Sequence, residues 1–485
     1  MKIETKKMAG KDAVVVKFTE GTVSKFVEKD GVSELYVWRV SKEILTLSRR
    51  KAVLFLRKVV AVAKQNKIKS LSLAWSDVRT LVAEDVTDVM LGEILAIAFV
   101  MADFEFVVYK KKPSEGFAFI DTIFVQGASA EAISGIRRGE IVGEEINGCR
   151  SLANIPGGDM TPKKLVTAAK VAVKGTTITV KVLGEKEMLK LGMGAILGVG
   201  RGSEEESQFI IMEYKGNQKS PQPHPNHLLG QERGKDKRPL VLVGKGVTFD
   251  TGGLSLKPSD SMTEMHMDMS GGAAVIHTIA LAAKLKLSIP IVALIPAVEN
   301  MPSGSATRPC DILKSMSGRT IEVLNTDAEG RVILADAITY AKKYNPRAVV
   351  ECSTLTGASL VALGMQASAV MATDETLRNE IVKLGEESGD YVWPFPLWEE
   401  YEEMIKSDFA DVANIPSGGN SRRAGVIGGG MFLAEFAKDL SCPFAHIDIA
   451  PRMTATSGEH LSKGAAGAPV RLLLAIAENM SDKIA

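Results

Sequence analysis

Residues 239–250 read PLVLVGKGVTFD, and the fold of the chain turns on them. The run of Val and Leu up to Gly244 predicts a short buried strand, with Lys245 and Asp250 following it. Further on come IPIVALIPA, IEVLN, RAVVECSTLTG and FAHIDIA, each a strand-like apolar run. Helical runs such as GGAAVIHTIALAAKLK and GRVILADAITYAKKY lie between them. Strands alternating with helices predict a mostly parallel central sheet flanked by helices. In such folds ligands gather at the carboxyl ends of the strands.

Residues 1–150 read as a smaller N-terminal α/β domain. DAVVVKF, SLSLAW and FEFVVYK are strand-like, and KAVLFLRKVVAVAKQNK is an amphipathic helix. No Gly-rich phosphate loop or acid cluster marks this half. The stretch SLANIPGGDMTP reads as a turn or linker, with Asp159 or Thr161 capping a helix that has Pro162 in its first turn. The expected division is 1–150, a linker and connecting helix over 151–175, and a larger C-terminal domain over 176–485. The polar run GNQKSPQPHPNHLLGQERGKDKRP is expected to be a surface loop.

The chain has 485 residues, 45% hydrophobic and 24% charged, the balance of a globular protein of two or three domains. Its formal net charge of +1 gives no field of one sign to draw in nucleic acid or anionic membrane. SRRK (48–51), YKKK (109–112) and GKDKR (234–238) are scattered and read as solvated faces. No apolar run is long enough to span a bilayer, and MKIETKKMAGKD is too polar for a signal peptide, so the expected compartment is the cytoplasm. The four cysteines, Cys149, Cys310, Cys352 and Cys442, lie far apart with no CxxC pair, which argues against disulfides or a cysteine zinc site.

The informative polar residues sit where strands end. Lys245 and Asp250 follow VLVG, Asp327 and Glu329 follow IEVL in NTDAEGR, and Asp268 precedes a Gly-rich helix start in HMDMSGG. Taken singly each has an ordinary reading: Asp327 or Asp268 as a helix cap, Asp250 as the start of a turn, Lys245 as a solvated side chain. Taken together, several carboxylates removed from water need cations beside them. Divalent ions meet that need, and two ions can share bridging carboxylates. A lysine that loses its proton can join them. With six histidines and no HExxH pair, a metal site here has to be rich in carboxylates.

VGKGVTFDTGGLSLKP, MHMDMSGGAAV and NTDAEGRVILADA resemble the three core motifs of the cytosolic leucyl aminopeptidase family, in the family's order. STLTGASLVALG, IKSDFADVANI, HIDIA and GAAGAPVRLLL extend the resemblance over roughly residues 150–480. It implies a two-metal aminopeptidase acting on short peptides with leucine or another apolar residue first. One ion would be held by Lys245, Asp250, Asp268 and Glu329. The other would be held by Asp250, Asp327 and Glu329, aided by the Asp327 carbonyl. The ions would be zinc or manganese, with magnesium or cobalt at the exchangeable position. Lys257 and Arg331 match the catalytic pair, with bicarbonate near Arg331. Met265, Thr354, Leu355, Gly357 and Met453 match positions along the substrate cleft. A cytoplasmic homohexamer, a dimer of trimers, is implied as well.

The chain departs from the family pattern at Gly157 and Gly158, His266, Glu351, the PRM run after HIDIA, and AAG near the C-terminus. None of these is a matched metal ligand. The last two flank the expected cleft and bear on side-chain preference. Three other readings compete: an added DNA-binding or regulatory role, which a near-neutral charge disfavours; an inactive scaffold, which the intact ligand set disfavours; and a carboxylate-only glycosidase, which a lysine beside the clustered acids disfavours.

Overall fold

The computed structural model describes residues 1–5, 10, 12–19, 23–29, 32–38, 47–217, 237–417 and 423–482. The expected surface loop falls almost entirely outside these residues, as does most of GKDKR. The described chain forms two compact units. One is Met1–Asn147 with Ala455–Gly464, and the other is Gly148–Thr454 with Ala465–Ala485. The return of a ten-residue stretch near the C-terminus to the first unit has no mark in the sequence. Among the described residues no helix is long and apolar enough to cross a membrane.

The first unit carries six strands: β1 (Lys2–Glu4), β2 (Val14–Thr19), β3 (Lys25–Lys29), β4 (Val32–Trp38), β5 (Ser70–Ala74) and β6 (Thr122–Gln126). Their order is β1-β6-β5-β2-β4-β3, parallel except for β3 on β4. The amphipathic run forms helix Arg49–Gln65, with the Ser48 hydroxyl accepting from the Lys51 N–H at its start. Leu56, Val59 and Ala63 on this helix are fully buried with Leu71 of β5 and Phe99 of helix Asp88–Asp103. FEFVVYK, expected as a strand, is not one. It follows directly on helix Asp88–Asp103, the place beside β5 is taken by β6, and Val108 and Tyr109 are exposed.

The second unit holds a nine-stranded sheet. Its strands are β7 (Thr179–Leu183), β8 (Gln208–Tyr214), β9 (Leu240–Gly244), β10 (Gly246–Asp250), β11 (Ile291–Asn300), β14 (Ala348–Ser353), β15 (Ser368–Ala372), β16 (Val392–Pro394) and β18 (Phe444–Asp448). The order is β16-β15-β18-β14-β9-β11-β8-β7, with β10 also pairing β11. The centre, β18-β14-β9-β11 with β10, is parallel; β15 and β8 run antiparallel to it, and β7 pairs antiparallel with β8. Every residue of β9 and β14 is buried, which is why β9 reads as an unbroken apolar run. Each Val or Leu so buried contributes about 1.5–3 kcal/mol. Helices Glu329–Ala341 and Gly425–Ala437 share one core with these strands, whereas Ser270–Lys284 packs with Val470–Asp482. Gly271 lets the first turn of Ser270–Lys284 sit against β14: a Cβ there would lie 2.2 Å from the Cys352 carbonyl oxygen.

Two local expectations need correcting. IEVLN does form a strand, β13 (Thr320–Val323), but in a separate three-stranded sheet between β12 (Asp311–Lys314) and β17 (Val412–Ala413). Thr161 stands at the N-cap of helix Pro162–Ala172, yet its side chain makes no capping bond; Pro162 supplies the fixed φ at the first turn instead.

Candidate metal centre

Three chain segments bring the polar residues together. β9 bends at Lys245 into β10, which ends on Asp250. The 3-10 turn Met265–Met267 delivers Asp268 to the start of helix Ser270–Lys284. The turn after β13 delivers Asp327, and Glu329 opens helix Glu329–Ala341.

Lys245 Nζ lies 2.8 Å from Asp268 Oδ2 and 2.8 Å from Glu329 Oε1. Lys257 Nζ lies 2.8 Å from Asp250 Oδ2 and also pairs with Asp327 Oδ1. Two lysines thus bracket four acids. All of these side chains are buried except those of Asp327 and Lys257, which are half-buried. Carboxylate oxygens of Asp250, Asp327 and Glu329 come within 4.8 Å of one another.

The room for Lys245 depends on Gly330. A Cβ at that position would stand 2.6 Å from Lys245 Cε and 2.7 Å from Nζ.

The hydrogen bonding is uneven in an informative way. Asp250 Oδ1 accepts from the Gly252 N–H and from Asn300 Nδ2, both at 2.8 Å, so Asp250 is firmly aimed. Asp268 Oδ1 accepts from the Thr354 hydroxyl at 2.6 Å. By contrast, Asp268 Oδ2, Asp327 Oδ1 and Glu329 Oε1 are buried without a hydrogen bond. Lysine ammonium groups are close to each of them, but off hydrogen-bond geometry. Buried polar atoms are normally hydrogen-bonded, and three carboxylate oxygens met only by ammonium groups in one cluster suit a divalent cation.

Electrostatics agree. Burial pushes the Asp268 carboxyl well above the usual carboxylate range, with Glu329 and Asp250 adding to the push against Lys245. Burial also raises Asp250, with Glu329 next, and raises Asp327, with Asp250 next. Burial alone would lower Lys245, but Asp268, Glu329 and Asp250 outweigh it and hold the ammonium above its ordinary value. Lys257 is raised likewise, burial being outweighed by Asp250, Glu329 and Asp327. Extra positive charge at this cluster would relieve the acids.

Arg331 lies in the first turn of helix Glu329–Ala341. Its Nη1 donates to the Asn414 carbonyl at 2.9 Å, while its buried Nε has no hydrogen-bond partner. Burial lowers its pKa to about 10, against the pull of Glu329 and Asp448. A buried guanidinium with an open donor at a helix N-terminus can hold an anion.

The remaining residues singled out from the sequence fall around this network. Thr354 belongs to it through Asp268, and its carbonyl accepts from Lys245 Nζ at 3.3 Å. The Leu355 N–H donates to Asp448 Oδ1, and Gly357 opens helix Gly357–Leu363 with open space at its Cβ. Met265 begins the turn before Asp268. Met453 ends the turn after β18, and both are half-buried.

Four residues were not foreseen. Asn300 aims Asp250. The Thr326 hydroxyl donates to the Gly252 carbonyl at 2.6 Å, and Asn414 and Asp448 buttress the loops behind. Asn300, Asn414 and Asp448 each end or flank an apolar run, while Thr326 lies within NTDAEGR.

The profile for the catalytic domain of the cytosol aminopeptidase family matches residues 147–474. A probable cytosol aminopeptidase of Azoarcus sp. (strain BH72) is 46% identical over 363 residues, spanning 75% of this chain and 67% of that protein. One from Roseiflexus castenholzii is 40% identical over 425 residues, spanning 86% and 82%. Among solved structures, the bottromycin maturation enzyme BotP in complex with Mn superposes with a TM-score of 0.83. It is 26% identical, and the match covers 97% of this chain and 100% of that one.

Proposed function

The chain belongs to the cytosol aminopeptidase family, and from that premise we propose that it releases N-terminal residues from short peptides with the help of two divalent ions. The observation that carries this reading is the set of four acids drawn around two lysines, with three carboxylate oxygens left without hydrogen bonds. Lys245, Asp250, Asp268 and Glu329 would hold one ion; Asp250, Asp327 and Glu329 would hold the other. Bound there, the ions supply Lewis acidity, which makes water a nucleophile at neutral pH and polarises a carbonyl.

The protein's own groups do the rest. Lys257, held between Asp250 and Asp327, would donate to the oxyanion that forms as the peptide carbonyl is attacked. Arg331 would hold a small anion, bicarbonate in this reading, and such an anion would supply general acid–base chemistry beside the site. The Leu355 carbonyl and the open position at Gly357 would line the path of the peptide. Met265 and Met453 would form a flexible apolar pocket suited to leucine or another apolar first residue.

We assign the catalytic domain to residues 176–485, and a cytoplasmic homohexamer as the working form. Zinc and manganese are the ions to try first, since BotP was solved with Mn. The test is hydrolysis of a leucine anilide before chelation, after it, and after manganese is returned. Loss followed by recovery supports the reading; turnover indifferent to chelation refutes it.

A further inference from the structure

The segment IKSDFADVANI takes no part in the chemistry just described, yet its penultimate residue, Asn414, grips the turn that carries Asp327. Asn414 is buried, at 1% exposure, immediately after β17. Its backbone is fixed independently of the site. β17 runs parallel to β13, with Val412 opposite Ile321 and Ala413 opposite Glu322, and the Asn414 N–H donates to the Glu322 carbonyl at 2.9 Å.

From this fixed place the side chain spends both ends of its amide on the turn between β13 and helix Glu329–Ala341. Oδ1 accepts from the Leu324 N–H at 2.8 Å and the Asn325 N–H at 3.3 Å. Nδ2 donates to the Asn325 carbonyl at 2.6 Å and the Ala328 carbonyl at 3.3 Å. The Asn414 carbonyl then accepts from Arg331 Nη1 at 2.9 Å, the one protein hydrogen bond described for that guanidinium. The turn so bracketed, 324–328, contains Asp327 and leads straight into Glu329. Inside it, Asn325 Oδ1 accepts from the Asp327 N–H at 2.8 Å, so the inner Asn325 and the outer Asn414 together fix where Asp327 sits.

We infer that Asn414 is a positioning residue for this site, setting at once the register of the Asp327–Glu329 turn and the direction of the Arg331 guanidinium. It acts through other groups and touches neither substrate nor ion. Only a primary amide suits the place, because the turn presents two N–H groups to one end of the side chain and two carbonyls to the other. An aspartate would keep the N–H partners but set its second oxygen against the Asn325 and Ala328 carbonyls.

This inference rests on the aminopeptidase reading, and the experiment keeps the two apart. Asn414→Ala, Asn414→Asp and Ser407→Ala are compared with the parent. Ser407 is the control. It lies in the same segment, donates to Glu322 and accepts the Phe409 and Ala410 N–H groups, but makes no bond to turn 324–328. Three readouts are taken: manganese affinity and stoichiometry by titration of metal-free protein, the split between kcat and KM, and the thermal midpoint.

Both Asn414 variants are expected to lower kcat about 10- to 100-fold with KM little changed, and to weaken one of two manganese sites by a similar factor. Ser407→Ala is expected to lower the thermal midpoint while leaving kcat and both manganese affinities within about threefold of the parent, well short of the losses typical when a group supporting a ligand is removed. Asn414 variants that match the parent in kcat and manganese affinity overturn the inference. So does a loss that merely tracks the thermal midpoint as it does in Ser407→Ala. If the parent hydrolyses no peptide, the aminopeptidase reading falls, and the manganese titration alone still decides the role of Asn414.

Discussion

Helix Glu329–Ala341 buries two carboxylates seven residues apart and treats them in opposite ways. Asp336 is 0% exposed and Glu329 3%, so burial does not separate them. Asp336 is closed off by the backbone: Oδ2 accepts the Ala195 and Ile196 N–H groups at 3.0 Å each, and Oδ1 accepts the Met316 N–H at 2.7 Å. It staples the start of helix Gly194–Gly200 to the core and answers the unpaired N–H groups of that helix end. Glu329 is instead turned toward other acids and a lysine, and its Oε1 carries no hydrogen bond. A buried acid that serves the fold is saturated by N–H groups. One that serves a ligand is met by an ammonium group alone and stands among other acids, company that a bound cation would further relieve.

Four substitutions can break or sharpen this contrast. The largest effect is expected from Glu329→Gln: leucine anilide turnover falls to background and manganese affinity collapses, as calorimetry would record. Lys257→Ala comes next, with manganese still bound but kcat down by about two to three orders of magnitude, as for the loss of an oxyanion donor. If Lys257→Ala instead strips the metal, the division of roles between the two lysines is wrong. Gly330→Ala forces a methyl group against Lys245 and should weaken manganese binding about 10- to 100-fold, with a smaller change in the thermal midpoint.

Asp336→Asn tests the other side of the contrast. An amide cannot accept at both of its ends, so a urea titration should show a loss of about 1–3 kcal/mol while manganese affinity holds. Burial pushes the Asp336 carboxyl up to about 7, against the three backbone N–H groups that favour its ionised form. The folded value lies above the ordinary 3.8, so the folded state binds the proton more tightly than the unfolded one. The contribution of Asp336 to stability is therefore greatest at low pH and declines as the pH climbs from about 4 to about 7. Asp336→Asn should lack that decline when unfolding is followed across the same range.

Much of the second unit was legible because its strands are buried on both faces. LVLV, IPIVALIPA and AVVEC leave little choice of structure, and strand ends then point to Lys245 and Asp250. NTDAEGR, which carries Asp327, Glu329 and Arg331, was legible as a motif. What could not be read is long-range closure. Nothing local says that Asn414 reaches turn 324–328, that Asn300 aims Asp250, or that residues 455–464 join the first unit. FEFVVYK misled for the same reason. Its composition suits a strand, but strand formation needs a free neighbouring edge, and β6 occupies the one beside β5.

The most direct test of the whole account is titration of the metal-free protein with manganese, followed by elemental analysis of the dialysed complex. Two ions per chain in the parent, and neither held at full affinity by Glu329→Gln, is the predicted result. A parent that takes up no manganese or zinc, or a Glu329→Gln protein that binds as the parent does, would contradict it.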